Sequence, residues 1–262
     1  MANKALGQHW LKNRGILDEI AALAVPEMEV ETCLEIGPGL GTLTSALLRR
    51  FSKVIAVEYD ADLARKLPGS FPGKNLEVIN EDFLEFNLSG IPAPYVVAGN
   101  IPYYITSPII EKLLMTENPP LKIVLLMQKE VAERICDEER ASLLSLRCQN
   151  RTRVELGPVV LREEFEPAPK VDSQVVVFEP LGSPLVGEEV MKLIQRGFAQ
   201  PRKKLIHNLV SVGVEHTDGT AQMFSKEKWL NILEQSEVDK DARPSELGLE
   251  DWQRIYDVAS KA

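Results

Sequence analysis

The sequence predicts an α/β protein: a doubly wound, mostly parallel sheet followed by a smaller helical unit. Three observations predict it. Short apolar runs of strand length alternate with segments whose apolar residues recur at helical spacing. The early runs stop at glycine, acidic or amide residues, as strands opening onto loops at one end of a sheet do. Beyond Pro180-Leu181-Gly182-Ser183-Pro184 only helical spacing remains, which makes that stretch the linker. The expected division is residues 1–180 for the sheet domain and 185–262 for a helical domain.

Ile16, Leu17, Ile20, Ala21 and Ala24 recur at helical spacing until Pro26 stops them. Before them, the stretch from Ala5 to Leu11 carries Trp10 and Leu11 beside polar groups and reads as an ordered arm. Residues 32–36 form a short apolar run halted at Gly37-Pro38-Gly39-Leu40-Gly41, and helical spacing resumes with Leu43, Ala46, Leu47 and Phe51. This is a strand, a glycine turn and a helix. Residues 53–57 give the second strand, ending at Glu58-Tyr59-Asp60, and 61–67 a short helix closed by Pro68-Gly69. Residues 76–79 give the third strand, ending at Asn80-Glu81-Asp82. The fourth is 95–98, stopped by Gly99-Asn100-Ile101-Pro102-Tyr103, after which Thr106 or Ser107 with Pro108 opens another helix. Residues 122–127 are a fifth strand. Two further runs, 154–161 and 171–178, complete the sheet with antiparallel members allowed. Helices are expected over 190–198, 205–210, 223–233 and 252–259.

The composition is that of a globular chain, 44% hydrophobic and 26% charged. The first residues hold no apolar core of a signal peptide, and no apolar run approaches the roughly 18 residues that span a bilayer. Three cysteines without C-x-x-C spacing suggest neither a disulfide framework nor a zinc site. Reduced thiols and a cytoplasmic location are therefore expected. Three scattered histidines form no hydrolytic or metal-binding pattern, so no metal is expected. A net charge of −9 argues against non-specific coating of nucleic acid. Two local cationic clusters stand out: Arg147 with Arg151 and Arg153, and Arg202-Lys203-Lys204. Each is either a solvated helix face or an RNA contact.

Gly37, Gly39 and Gly41 would let backbone approach a ligand at the end of the first strand. Glu58 ends the second strand about 20 residues downstream, where a carboxylate accepts from ribose hydroxyls. A dinucleotide fits these two signals equally well. The G-x-G-x-G spacing and a second acid, Asp82, placed to accept from an adenine amine, favour S-adenosylmethionine. Asn100 and the Ile101 carbonyl could accept hydrogen bonds from an exocyclic amine, Tyr103 could stack on a heterocycle, and Pro102 would stiffen their turn.

Gly7-Gln8-His9-Trp10-Leu11, Glu35-Ile36-Gly37-Pro38-Gly39-Leu40-Gly41, Glu58-Tyr59-Asp60 and Asn100-Ile101-Pro102-Tyr103 occur in the order found in the rRNA adenine N6,N6-dimethyltransferases. Gln128-Lys129-Glu130, the Phe165 to Ser173 stretch, Phe198 with Arg202-Lys203, and Arg243-Pro244 with Asp251-Trp252 are also similar to that family. The chain resembles its small-subunit housekeeping branch more than its macrolide-resistance branch, over essentially its whole length. The resemblance implies a Rossmann-like class I S-adenosylmethionine-dependent methyltransferase sheet with a smaller α-helical, RNA-binding C-terminal domain. It implies S-adenosylmethionine as methyl donor and S-adenosylhomocysteine as product. Cofactor contacts would come from His9, Leu11, Gly37, Gly39, Glu58, Asp82 and Asn100. The catalytic segment would be Asn100, Ile101, Pro102 and Tyr103, with Phe165 on the other face of the base. RNA contacts would come from Arg147, Arg202, Lys203 and Lys204. The expected partner is small-subunit rRNA in an assembling subunit, bound by a monomer. Three positions depart from the family: His9 where Asn is usual, Tyr104 where Asn is frequent, and 138–146, which lacks the family's Tyr-Gly-Arg-Leu-Ser pattern. Competing expectations are methylation of large-subunit rRNA or DNA, a non-catalytic assembly factor and, more distantly, a dinucleotide oxidoreductase.

Overall fold

A computed structural model of the chain describes residues 8–137, 139–210, 214–215 and 221–262. They fall into two compact units. The first is Met1–Glu133 with Arg153–Pro180, and the second is Arg134–Thr152 with Leu181–Ala262.

The first unit begins with β1 (Trp10–Leu11) and α1 (Arg14–Leu23). Asn13 caps α1, its side chain accepting from the Gly15 and Ile16 N–H groups, while Leu17, Ile20 and Ala21 bury one stripe. Then follow β2 (Thr32–Ile36), α2 (Thr42–Leu47), β3 (Lys53–Glu58), α3 (Ala61–Lys66), β4 (Leu76–Asn80), β5 (Tyr95–Asn100), α4 (Thr106–Met115) and β6 (Ile123–Gln128). Every residue of β2 is buried, as expected for a strand covered on both faces. Helix α5 (Lys129–Cys136) leaves this unit, and the chain returns along β7 (Thr152–Val160), β8 (Phe165–Glu166) and β9 (Ser173–Pro180).

The seven-stranded sheet has the order β4-β3-β2-β5-β6-β9-β7. The pairs among β4, β3, β2, β5 and β6 are parallel, and β9 runs antiparallel to β6. A separate ladder joins β1 to β8, Trp10 opposite Glu166 and Leu11 opposite Phe165. Of the arm expected from Ala5 to Leu11, Trp10 and Leu11 form a strand, and Ala5, Leu6 and Gly7 lie outside the described residues.

The second unit holds α6 (Leu143–Arg151), α7 (Glu188–Gly197), α8 (Leu205–Leu209), β10 (Val214–Glu215), β11 (Ala221–Gln222), α9 (Lys226–Gln235) and α10 (Leu249–Ala259). Its core gathers Leu146, Val190, Ile194, Leu205, Trp229, Ile232, Trp252 and Ile255. Helices α7 and α10 meet closely at Gly197, where a Cβ would lie 2.1 Å from the Trp252 ring. The small β10–β11 ladder was not expected from the sequence.

The single boundary near residue 180 needs correction. Residues Arg134–Thr152 belong with the helical unit, not with the sheet. Leu146 is part of the helical core. Asn150 accepts from the Val186 N–H at 2.7 Å through Oδ1, and the Leu181 N–H donates to the Arg151 carbonyl at 2.8 Å. No proline or glycine marks the crossing at 133, because α5 runs straight through it. The linker at 180–184 does fall on the third and last crossing.

Candidate active site

The site lies where the strand order reverses. β3 and β4 extend the sheet on one side of β2, and β5 lies against its other side. The loops leaving the carboxyl ends of β2 and β5 therefore part from each other, which is where open α/β sheets admit ligands. Ile36 pairs with Gly99 at that end, and a Cβ on Gly99 would stand 2.9 Å from the Ile36 carbonyl oxygen. The two strand ends approach this closely because Gly99 has no side chain. A cavity of about 260 Å³ opens there, lined by the β2, β3 and β5 ends, the arm at 8–11 and residues 82–84.

The turn after β2 is shaped by backbone alone. Gly37, Gly39 and Gly41 have φ of +65°, +57° and +81°, which L side chains rarely adopt. A Cβ on Gly39 would meet the Trp10 indole nitrogen at 3.0 Å, and one on Gly41 the Leu67 side chain at 2.7 Å. Glu58 locks this turn to the end of β3. Its Oε2 accepts from the Gly39 N–H at 2.9 Å and its Oε1 from the Asp60 N–H at 2.8 Å. Burial raises the Glu58 pKa, and these two amides oppose the rise. Each oxygen keeps a lone pair for a further donor. At the end of β4, Asp82 Oδ1 accepts from the Leu84 N–H at 2.9 Å, and Phe83 and Leu84 join the lining.

The turn after β5 is shaped by side chains. The Asn100 Nδ2 donates to the His9 carbonyl at 2.9 Å, which fixes the amide and leaves Oδ1 as its accepting end. The Ile101 N–H donates to the Leu126 carbonyl at 3.3 Å, while Pro102 sets the turn at φ −60°, ψ 132°. The Tyr103 hydroxyl shares a 2.7 Å hydrogen bond with Ser173 Oγ. Burial raises the Tyr103 pKa against that bond, so the phenol is neutral at physiological pH. Tyr104 is 63% exposed among the lining residues.

Most of the sequence-predicted residues come together. His9, Leu11, Gly37, Gly39, Glu58, Asp82, Asn100, Ile101, Pro102 and Tyr103 all line the one cavity. Phe165 does not. It is 4% exposed, paired with Leu11 and packed in the sheet core, so its ring offers no face to a base. Arg147, Arg202, Lys203 and Lys204 all belong to the helical unit, Arg147 contrary to the expected division. Lys204 pairs with Asp241 at 2.7 Å, while Arg202 and Lys203 are exposed.

Sequence reasoning missed Glu35 as a site residue. It is 1% exposed within β2, lines the cavity, and has a buried Oε2 without a hydrogen-bond partner among the described residues. Burial, with the Glu58 charge adding to it, pushes its pKa up to about 8. An acid inside the otherwise apolar run Cys33-Leu34-Glu35-Ile36 was the available signal.

These residues fit a nucleoside-bearing cofactor. The turn at Gly37 and Gly39 lines the cavity in a backbone conformation that side chains rarely adopt, carboxylates close two adjacent strand ends, and Glu35 Oε2 is buried without a hydrogen-bond partner among the described residues. Sheet order, glycine turn and strand-end acids together define a class I S-adenosylmethionine-dependent methyltransferase. Residues 1–254 match the family described as ribosomal RNA adenine dimethylase, and the chain belongs to that family. It is 37% identical to ribosomal RNA small subunit methyltransferase A of Rippkaea orientalis, covering 95% of this chain and 94% of that protein. The protein of the same name from Dehalococcoides mccartyi strain CBDB1 is 34% identical over 97% of this chain and 87% of its own length. Among solved structures, a dimethyladenosine transferase from Plasmodium falciparum superposes with TM-score 0.77 at 29% identity, covering 94% of this chain and 95% of that one. The 23S rRNA methyltransferase ErmE gives TM-score 0.74 at 26% identity, covering 96% and 99%.

Proposed function

We propose that this chain dimethylates the N6 of two adjacent adenines in small-subunit rRNA during ribosome assembly, acting as a cytoplasmic monomer. The observation that carries the reading is the fixed Asn100 amide, whose Oδ1 is left to accept at the cavity where β2 and β5 part. Support for the small subunit comes from the relatives of 34–37% identity that carry that name.

Gly37, Gly39, Glu58 and Asp82 would hold the cofactor, with Glu58 accepting from ribose hydroxyls and Asp82 from the adenine amine. When bound, S-adenosylmethionine supplies a methyl group on a positively charged sulfur. The target N6 is a poor nucleophile because its lone pair is delocalised into the ring. Asn100 Oδ1 and the Ile101 carbonyl accept from the N6 hydrogens, favour a pyramidal nitrogen and stabilise the positive charge that develops there. Fixed acceptors of this kind need no reorganisation during reaction, and one is typically worth ~3–4 kcal/mol. Tyr103 stacks on the flipped base, and Pro102 holds the turn that aligns it. The proton then passes to water, since the methylated ammonium is acidic. Arg147, Arg202, Lys203 and Lys204 would meet the RNA backbone.

Mass spectrometry of rRNA from cells lacking the protein should show small-subunit adenines that have lost their N6 methyl groups, and purified protein with labelled methyl donor should restore them. A large-subunit target is the competing reading, favoured by the likeness to the 23S enzyme. Label entering large-subunit rRNA alone would establish it. Charge reversal at Arg202, Lys203 and Lys204 should weaken subunit binding and lower its salt dependence by about one unit of log-log slope per lost phosphate contact. Unaltered binding would remove that cluster from the RNA interface.

A further inference from the structure

His9 is held in three ways that cofactor binding alone does not explain. Its Nδ1 lies 2.7 Å from the Pro167 carbonyl, an acceptor only, so that nitrogen carries the proton and donates. Its backbone carbonyl receives the Asn100 amide. Its ring stacks beside Tyr103 with centroids 5.9 Å apart and planes 19° from parallel.

The ring separation is informative. A flat base between two rings needs van der Waals contact on both faces, about 3.5 Å each, or roughly 7 Å in all. Rings with centroids 5.9 Å apart leave no such slot. Tyr103 cannot swing away cheaply, because its hydroxyl is tied to the buried Ser173 and its carbonyl accepts from Thr106 Oγ1 at 3.1 Å. The imidazole therefore flanks one face of Tyr103 at a separation that admits no base between the two rings.

We propose that His9 is a positioning residue for the target base. Its ring flanks one face of Tyr103 and closes it to a base, so the adenine is received only on the opposite face, and its carbonyl holds Asn100 with Oδ1 presented. Ser173 assists by anchoring the phenol. The inference rests on the assignment of Asn100 and Tyr103 to the adenine pocket. It replaces Phe165 by His9 as the second ring beside Tyr103, and as a neighbour of the tyrosine, not of the base.

The test uses the full chain with unmethylated small subunits and methyl-labelled S-adenosylmethionine, alongside calorimetry with S-adenosylmethionine alone. His9→Ala should lower kcat roughly tenfold while cofactor affinity stays within about threefold. His9→Phe keeps a flat ring without the Nδ1 proton and should recover kcat to within about threefold of the parent. Ser173→Ala should lower kcat by roughly threefold to tenfold at unchanged cofactor affinity. The proposal is overturned if His9→Ala acts through cofactor affinity, or if His9→Phe is as poor as His9→Ala. Tyr103→Ala separates this inference from the reading beneath it. If Tyr103→Ala retains near-parent kcat, the adenine pocket itself is misassigned. If Tyr103→Ala is inactive and His9→Ala is not impaired, only the role of His9 fails.

Discussion

Two turns leave adjacent parallel strands at the switch point, and they are built by opposite means. The turn after β2 is backbone: three glycines with positive φ, with the Gly39 N–H held by the Glu58 carboxylate. The turn after β5 is side chain: an amide fixed by the His9 carbonyl, a phenol fixed by Ser173, a backbone angle fixed by the proline ring. The first suits a ligand that must be approached closely along its length. The second suits a small group whose hydrogens must be met by acceptors at set points. Binding should depend on the first turn and chemistry on the second.

The sharpest way to break that contrast is Asn100→Ala. It should lower kcat about 10²–10³-fold or more with cofactor affinity within about tenfold. A variant that lost cofactor affinity in proportion to rate would merge the two turns into one function. Glu58→Ala should do the reverse, weakening cofactor binding roughly tenfold to a hundredfold by calorimetry, with kcat at saturating cofactor little changed. Unchanged affinity would remove Glu58 from the ribose role. Gly41→Ala should lower thermal stability by about 1–2 kcal/mol, because φ is +81° and the new Cβ would crowd Leu67 and Phe71. A variant as stable as the parent would show that the cradle has slack.

The remaining effect depends on pH and concerns Glu35. Its folded pKa, about 8, is raised above the ordinary value of about 4.5 by burial. The fold therefore favours the protonated acid, a contribution complete below about pH 4.5 and lost as pH rises toward 8. Glu35→Gln should match the parent near pH 4.5 and exceed it progressively up to pH 8, by on the order of a few kcal/mol at most. Melting curves across that window check the sign. A gap that shrank with rising pH would mean Glu35 is ionised in the fold.

The same contrast explains what could be read from the sequence. Glycine turns and strand-end acids are local signals, so Gly37, Gly39, Glu58 and Asp82 were found where the cavity has them. The segment from Asn100 to Tyr103 was found from its own chemistry, but its supports were not. His9 reaches Asn100 from 91 residues away, and Ser173 reaches Tyr103 across 70. No local pattern encodes such partners. Phe165, which the resemblance sets on the other face of the base, is buried beside its strand partner Leu11, a pairing no local pattern encodes. Helices α5 and α6 were missed where α6 abuts β7 without a breaker between them. Glu35 is the one acid within its apolar strand run, which is a local signal as well.

Residues Arg134–Thr152 leave the sheet unit, join the helical one, and hand the chain back at Arg153. The polypeptide thus crosses between units three times, and neither unit is a continuous stretch that could be cut out. A fragment ending at residue 180 would carry an excursion whose apolar Leu146 has lost its companions at Val190 and Ile194. During synthesis the sheet can be completed once Pro180 has emerged, whereas that excursion must wait for the C-terminal third. Separating the two units by design would require closing the sheet with a short connection from 133 to 153 and joining 152 directly to 181. The backbone already favours that second join, since the Leu181 N–H rests on the Arg151 carbonyl.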